Sequence, residues 1–333
     1  MSPGSSKTGA RILGTGHFLP PIVRTNVDLE KMVETSDTWI RERTGIRERH
    51  IAPDGMVTSD MAAAAAKNAL DAAGLTAKDV DMIIVGTVTP DMPMPATAAF
   101  VQQKIGAPDC PAFDLSAACA GFIYGISIAD KFIRSGAAKH VLVIGVELLS
   151  RVVDWTDRTT CVLFGDGAGA MVLGPPDGSD RGVIGTQIFT DGSLARSLMI
   201  PAGGSETPVT HAVLEDRQNK VKMKGQDIFK AAVRNLYSAS QGVVDAAGMK
   251  NDQVDWVCPH QANLRIIDQV VQRANYERSR VLSNIERVGN TSSASIPILV
   301  DENVKNGKIK PGHVVLMCAL GAGVSWGSAL VRM

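Results

Sequence analysis

"ALDAAGLTAKDVDMIIVGT" (69–87) and "VVDAAGMKNDQVDWVCPHQ" (243–261) are one pattern written twice. Each carries Asp-Ala-Ala-Gly, and an Asp follows ten residues on: Asp71 to Asp81, Asp245 to Asp255. The pattern predicts a helix closed by Gly74 or Gly248, a turn, then an apolar strand. A second echo follows in the same order. "IRSGAAKHVLVIGVE" (133–147) matches "VKNGKIKPGHVVLMCAL" (304–320) as helix end, turn and strand, with His140 and His313 lying 59 and 58 residues past Asp81 and Asp255. Two ordered echoes at matched separation predict two similar α/β halves. Their boundary falls near "GPPDGSDRG" (174–182), so the halves are expected at 1–176 and 177–333.

Runs such as "MIIVG", "HVLVIGV" and "HVVLMCAL" are continuously apolar. Strands buried on both faces, as in helix-covered sheets, have this character. The stretch 61–73 is almost all alanine and lacks a polar face, which predicts a buried helix. Residues 201–221 have no clean period and read as a long loop or flap near a site.

The 333 residues carry 34 Lys+Arg against 34 Asp+Glu, so overall charge gives no argument for nucleic acid or a membrane. No run reaches the roughly 18 apolar residues of a membrane span. Residues 1–9 lack the apolar segment of a signal peptide and read as a frayed start. Five cysteines without a C-x-x-C pair disfavour a zinc ribbon or redox dithiol and fit a reducing cytoplasm.

Three pieces carry chemistry. In "FDLSAACAGFIYG" (113–125), Cys119 falls where a strand gives way to a helix. Unpaired N–H groups and the positive dipole end favour a thiolate there, although a buried thiol is more often packing. In "VCPHQANLRII" (257–267), His260 follows a buried strand, at the sheet edge where α/β proteins place ligands. A neutral imidazole can donate from one nitrogen; a satisfied core histidine is the other reading. In "RVGNTSSASIPI" (287–298), Asn290 lies 35 residues past Asp255, while Cys119 lies 38 past Asp81. In superposable halves the two would occupy related junctions facing one pocket; alone, the stretch is a turn and N-cap. "GDGAGA" (165–170) lacks a P-loop lysine and reads as close backbone packing. "LGAGVSWG" (320–327) could bring backbone N–H groups to a ligand.

Together with "ETSDTWIRERTGIRERHIA" (34–52) and "SWGSALVR" (325–332), these motifs resemble, in order, the β-ketoacyl-acyl carrier protein synthase III family of thiolase-like condensing enzymes. The resemblance runs from about Gly14 to the carboxyl end. It implies a five-layer αβαβα fold of two duplicated halves in a cytoplasmic homodimer. It implies a transferase of fatty acid biosynthesis, in which Cys119 takes an acyl group from acyl-CoA, acetyl-CoA foremost, and condenses it with malonyl-acyl carrier protein. His260 and Asn290 would stabilise the enolate left by decarboxylation. The backbone N–H groups of Cys119 and Ala322 would hold the tetrahedral oxyanion. Coenzyme A is a substrate here, and no cofactor or metal is implied.

By the same resemblance Trp39 and Arg158 would clasp the CoA adenine, with Thr35 nearby, and Arg43 would meet phosphate. Gly225 and Asn263 would line the pantetheine tunnel. Lys230 and Arg265 would form a basic rim for the carrier protein. Met94 and Leu320 would shape the acyl pocket. The chain departs from the family pattern at Leu320-Gly321-Ala322-Gly323, where a Phe and three glycines are usual, and at Val324 and Met94, where aromatics are common. A related acyltransferase, or a secondary-metabolite synthase with a longer or unusual primer, is the alternative.

Overall fold

The computed structural model describes residues 8–333; the frayed start expected at 1–9 falls mostly outside them. In the first half the chain forms β1 (Arg11–Phe18), α1 (Asp37–Thr44), α2 (Thr58–Ala73), β2 (Met82–Gly86), α3 (Thr97–Ile105), β3 (Ala112–Leu115), α4 (Gly121–Arg134), β4 (Val141–Glu147) and β5 (Gly167–Gly174). In the second it forms β6 (Gly182–Thr190), α5 (Gly225–Ala246), β7 (Trp256–Pro259), α6 (Leu264–Ala274), α7 (Ser295–Lys305), β8 (Val314–Gly321) and β9 (Ser325–Arg332).

The first sheet runs β1-β5-β4-β2-β3 and the second β6-β9-β8-β7. Parallel and antiparallel pairs fall at the same places in both. The second sheet lacks a counterpart of β3, but one parallel bridge, Val257 to Val281, marks where it would lie. Helices α4 and α7 are sandwiched between the sheets, α2 and α3 cover the first, and α5 and α6 cover the second. This is the five-layer αβαβα arrangement.

Close approach of helix to sheet depends on glycine. A Cβ at Gly16 would lie 2.3 Å from the Ala69 nitrogen, so β1 can rest directly on the alanine-rich face of α2. In "GDGAGA" a Cβ at Gly169 would meet the Pro297 side chain at 2.7 Å, so the packing reading holds. The main core runs through both halves, from Ile84, Ile126 and Val143 to Ile296, Met317 and Ala329.

The echoes correspond physically. Asp81 Oδ2 accepts from the His140 N–H at 2.7 Å, and Asp255 Oδ2 accepts from the Val314 N–H at 2.7 Å. Each carboxylate ties the starts of two neighbouring parallel strands. The counterpart of His140 is therefore Val314; His313 is one residue out of register. The segment 201–221 is not a plain loop: it holds a short helix, His211–Glu215, and lies between the paired two-residue strands Leu198–Met199 and Lys222–Met223.

Candidate active site

After β3 the chain turns sharply. Ala118 takes a left-handed φ of 46°, a short 3₁₀ turn carries Cys119, and α4 begins at Gly121. The second half makes the same turn: Ser292 has φ 49° and starts a 3₁₀ turn leading into α7. The counterpart of Cys119 is thus Ser293, 38 residues past Asp255, and Asn290 sits three residues earlier. Backbone held in this sparsely populated region clusters at functional sites.

A cavity of about 460 Å³ brings together Cys119, His260 and Asn290, along with Trp39, Arg43, Gly225, Asn263, Arg265 and Leu320. Cys119 is 8% exposed, His260 3% and Asn290 6%. The sequence-based expectation of one shared chamber is met.

His260 is held at two points. Its backbone N–H donates to the Cys318 carbonyl at 2.8 Å, and Nδ1 lies 2.6 Å from Ser295 Oγ. Ser295 Oγ also accepts from the Gln261 N–H at 3.4 Å. With the Ser295 proton directed at Nδ1, Nε2 carries the imidazole proton and can donate. Burial depresses the His260 pKa to about 3, so the ring is neutral.

Asn290 is clamped at its backbone, accepting from Gly165 N–H at 3.0 Å and donating to the Leu163 carbonyl at 2.9 Å. Its Oδ1 accepts from the Ser292 N–H at 2.8 Å. That bond fixes which end of the amide is which and leaves Nδ2 as a donor.

Cys119 differs from the expectation. Burial pushes its thiol up to about 12, a hydrogen bond from Ser292 works against this, and the nearby Glu147 adds to it. The helix start alone does not make a resting thiolate; desolvation outweighs it.

A second, apolar chamber of about 240 Å³ also touches Cys119 and is lined by Val88, Leu149, Phe164, Ile200, Val221 and Ala322, among others. Ala322 thus lines the same chamber as Cys119. Met94 does not line this chamber and is 83% exposed. Leu320 lines the larger cavity instead, since β8 ends there.

The remaining expected residues divide. The Arg158 guanidinium lies 5.3 Å from the Trp39 ring centroid and donates to the Glu34 carbonyl, so the two are closed on each other. Thr35 is outside the larger cavity's lining, with its hydroxyl buried and unpartnered. Asn263 lines the cavity while capping α6 through Arg265 N–H and donating to the Arg43 carbonyl at 3.0 Å. Arg43 and Arg265 are exposed at the mouth; Lys230 is exposed but outside the lining.

Sequence reasoning missed Gly321, Ser292, Ser295 and Glu147. A Cβ at Gly321 would lie 2.4 Å from the Cys119 nitrogen. Glu147 had a legible signal: an acid ends an otherwise apolar strand. Among the described residues no cluster of His, Cys, Asp and Glu could hold a metal, and no helix is long and apolar enough to cross a membrane.

A thiol, a neutral imidazole and an oriented carboxamide around one cavity, in a fold of two duplicated sheets, define the thiolase-like condensing enzymes. Residues 113–192 match the family described as 3-oxoacyl-[acyl-carrier-protein (ACP)] synthase III, and 244–333 match its C-terminal portion. The beta-ketoacyl-[acyl-carrier-protein] synthase III of Xanthomonas campestris pv. campestris is 49% identical over 98% of this chain and 99% of its own. The crystal structure of the 3-oxoacyl-[acyl-carrier-protein] synthase III from Aquifex aeolicus superposes with a TM-score of 0.91 at 46% identity, covering 98% of this chain and 100% of that one. A priming beta-ketosynthase of the R1128 polyketide pathway gives 0.90 at 34%, covering 99% and 98%. The chain belongs to the 3-oxoacyl-[acyl-carrier-protein] synthase III family and is an acyltransferase-type condensing enzyme of fatty acid biosynthesis.

Proposed function

We propose that the enzyme transfers an acyl group from acyl-CoA, acetyl-CoA foremost, to Cys119 and condenses it with malonyl-acyl carrier protein. The convergence of Cys119, His260 and Asn290 on one cavity carries this reading. In the first step the thioester C–S bond of acyl-CoA breaks, a C–S bond to Cys119 forms, and the thiol proton ends on the CoA sulfur. In the second, malonyl thioester loses CO₂ and the enolate oxygen is held by Nε2–H of His260 and Nδ2–H of Asn290. Both donors are neutral and buried, where each is worth more than in water. The enolate carbon attacks the acyl-Cys119 carbonyl, and the backbone N–H groups of Cys119 and Ala322 receive the oxyanion. The C–S bond to Cys119 then breaks, and the thiolate takes up a proton.

The larger cavity would take the pantetheine arm between Gly225 and Asn263. Arg43 at its mouth would meet phosphate, and Trp39 and Arg158 would part around the adenine, with Thr35 behind. The smaller chamber would take the primer. Arg265 and Lys230 would meet the acidic carrier protein. The reading includes a cytoplasmic homodimer with no resident cofactor; free cysteines throughout the described residues fit a reducing compartment.

The test separates the two half-reactions. Cys119→Ala is expected to take no label from radiolabelled acetyl-CoA and to make no condensed product. Asn290→Ala should still take label but lose CO₂ release from malonyl-carrier protein by about 10²–10³-fold. Label on Cys119→Ala equal to wild type would overturn the assignment.

A further inference from the structure

Arg49 lies on the short strand Glu48–Ile51, which pairs with Ile22–Thr25, and it is wholly buried. Burial lowers its pKa only to about 10, so it is a cation at neutral pH. Its Nη1 donates to the Arg24 carbonyl at 3.1 Å and to Asn26 Oδ1 at 2.9 Å, and its Nη2 donates to the Val162 carbonyl at 2.9 Å. None of these acceptors is a carboxylate, and Nε has no partner among the described residues. A cation buried on neutral acceptors costs stability. What an apolar side chain could not do at this place is hold Val162. Two ties from strand 48–51 frame the segment 162–166. Arg49 takes the Val162 carbonyl, and the His50 carbonyl accepts from the Asp166 N–H at 2.9 Å. Between those ties the segment grips Asn290: the Leu163 carbonyl accepts from its N–H at 2.9 Å, and the Gly165 N–H donates to its carbonyl at 3.0 Å. The Arg49 stem fills the space alongside. A Cβ at Gly165 would stand 3.0 Å from Arg49 Cβ, and one at Gly289, the residue before Asn290, would stand 3.2 Å from it.

We propose that Arg49 is a positioning residue for Asn290: its guanidinium fork fixes one end of the segment that grips the Asn290 backbone, and so sets where the carboxamide stands in the cavity. A planar fork suits this task because it reaches residues 24–26 and Val162 at once. The inference rests on the proposed role of Asn290 as a donor to the enolate, and it concerns the second half-reaction alone. Cys119, which carries the first, sits on the turn after β3, outside this frame.

The experiment follows both half-reactions in Arg49→Lys and Arg49→Met. Lysine keeps the charge as a compact ammonium without the fork; methionine keeps the bulk of the stem without the charge. Transfer of label from radiolabelled acetyl-CoA to Cys119 is the internal standard for a folded site, and it should match wild type. Release of CO₂ from malonyl-carrier protein should fall about 10²-fold, the cost of misplacing a group by an ångström. The loss should lie in kcat, with KM for malonyl-carrier protein unchanged, because the hydrogen bond to the enolate is made only on the way to the transition state. In an Asn290→Ala background, Arg49→Lys should cause no further loss, since the two residues act as one unit. A CO₂ rate equal to wild type in either variant overturns the proposal. So do equal losses of label and CO₂ release, a loss carried by KM, a loss undiminished in the Asn290→Ala background, or two variants that take no label at all. Failure of the enolate reading would show separately, as Asn290→Ala releasing CO₂ at the wild-type rate.

Discussion

His260 shows what one buried side chain decides. Its imidazole is neutral because burial penalises the charged form, with a pKa depressed from 6.5 to about 3. An ordinary histidine would gain a second proton between pH 7 and 5 and add a charge beside the enolate. This one should not, so decarboxylation of malonyl-carrier protein, followed as CO₂ release, should show no histidine step between pH 8 and 5. The stability consequence has a definite sign. The unfolded chain protonates His260 near 6.5 and the folded chain near 3, so the unfolded state binds more protons across that window. Stability from this residue is full above 6.5 and falls as pH drops toward 3. The advantage of wild type over His260→Gln in melting temperature should therefore shrink from pH 7 to pH 5. The identities of Cys119, His260 and Asn290 were legible in the sequence as motif residues. Their protonation was not, because desolvation belongs to the assembled fold.

At the scale of elements, the end of β8 is fitted to the turn after β3. Gly321 has no room for a side chain, since a Cβ would stand 2.4 Å from the Cys119 nitrogen and 2.9 Å from Ala118 Cβ. Gly321→Ala must push one element off the other and displace the Cys119 N–H proposed to receive the oxyanion. Loss of one such donor costs about 10²–10³ in rate. The expected result is a fall of that order in kcat for condensation, with the protein still folded by circular dichroism. The paired strands, helices and their order were legible because Asp-Ala-Ala-Gly and the apolar runs recur. Three details were not. His313 was matched where Val314 belongs, Asn290 was matched to Cys119 where Ser293 belongs, and the missing edge strand at Val281 left no apolar run to count. A one-residue slip is invisible to hydropathy but is fixed by which N–H an aspartate accepts. The smaller chamber beside Cys119 was invisible for a different reason: Val88, Leu149, Phe164 and Val221 come from distant segments and share no local pattern.

At the scale of the molecule, the two halves behave as one body because a carboxylate spans them. Asp301 on α7 is wholly buried and accepts from Thr15 Oγ1 at 2.7 Å on β1, with His17 Nδ1 at 2.5 Å and Lys305 Nζ at 2.8 Å. Burial alone would raise its pKa, yet the bonds from His17, Lys305 and Thr15 prevail and hold it below the usual range. Further ties cross the boundary: Ser127 on α4 meets Thr186 on β6 at 2.9 Å, and the Tyr124 hydroxyl donates to the Phe189 carbonyl at 2.8 Å. With a core continuous through both sheets, urea should unfold the chain in one transition, seen alike by circular dichroism and by the fluorescence of Trp39 and Trp155 in one half and Trp256 and Trp326 in the other. Asp301→Asn removes the charge that His17 and Lys305 face and should lower stability by about 2–3 kcal/mol, as a shifted midpoint with unchanged slope. Because the folded pKa is depressed, the difference from wild type should hold from pH 8 to 5 and close only as pH falls below about 3.8, where the carboxylate protonates in wild type too. Two separated transitions, or an Asp301→Asn midpoint equal to wild type at pH 7, would show that the halves stand independently and that the clamp adds nothing to their union.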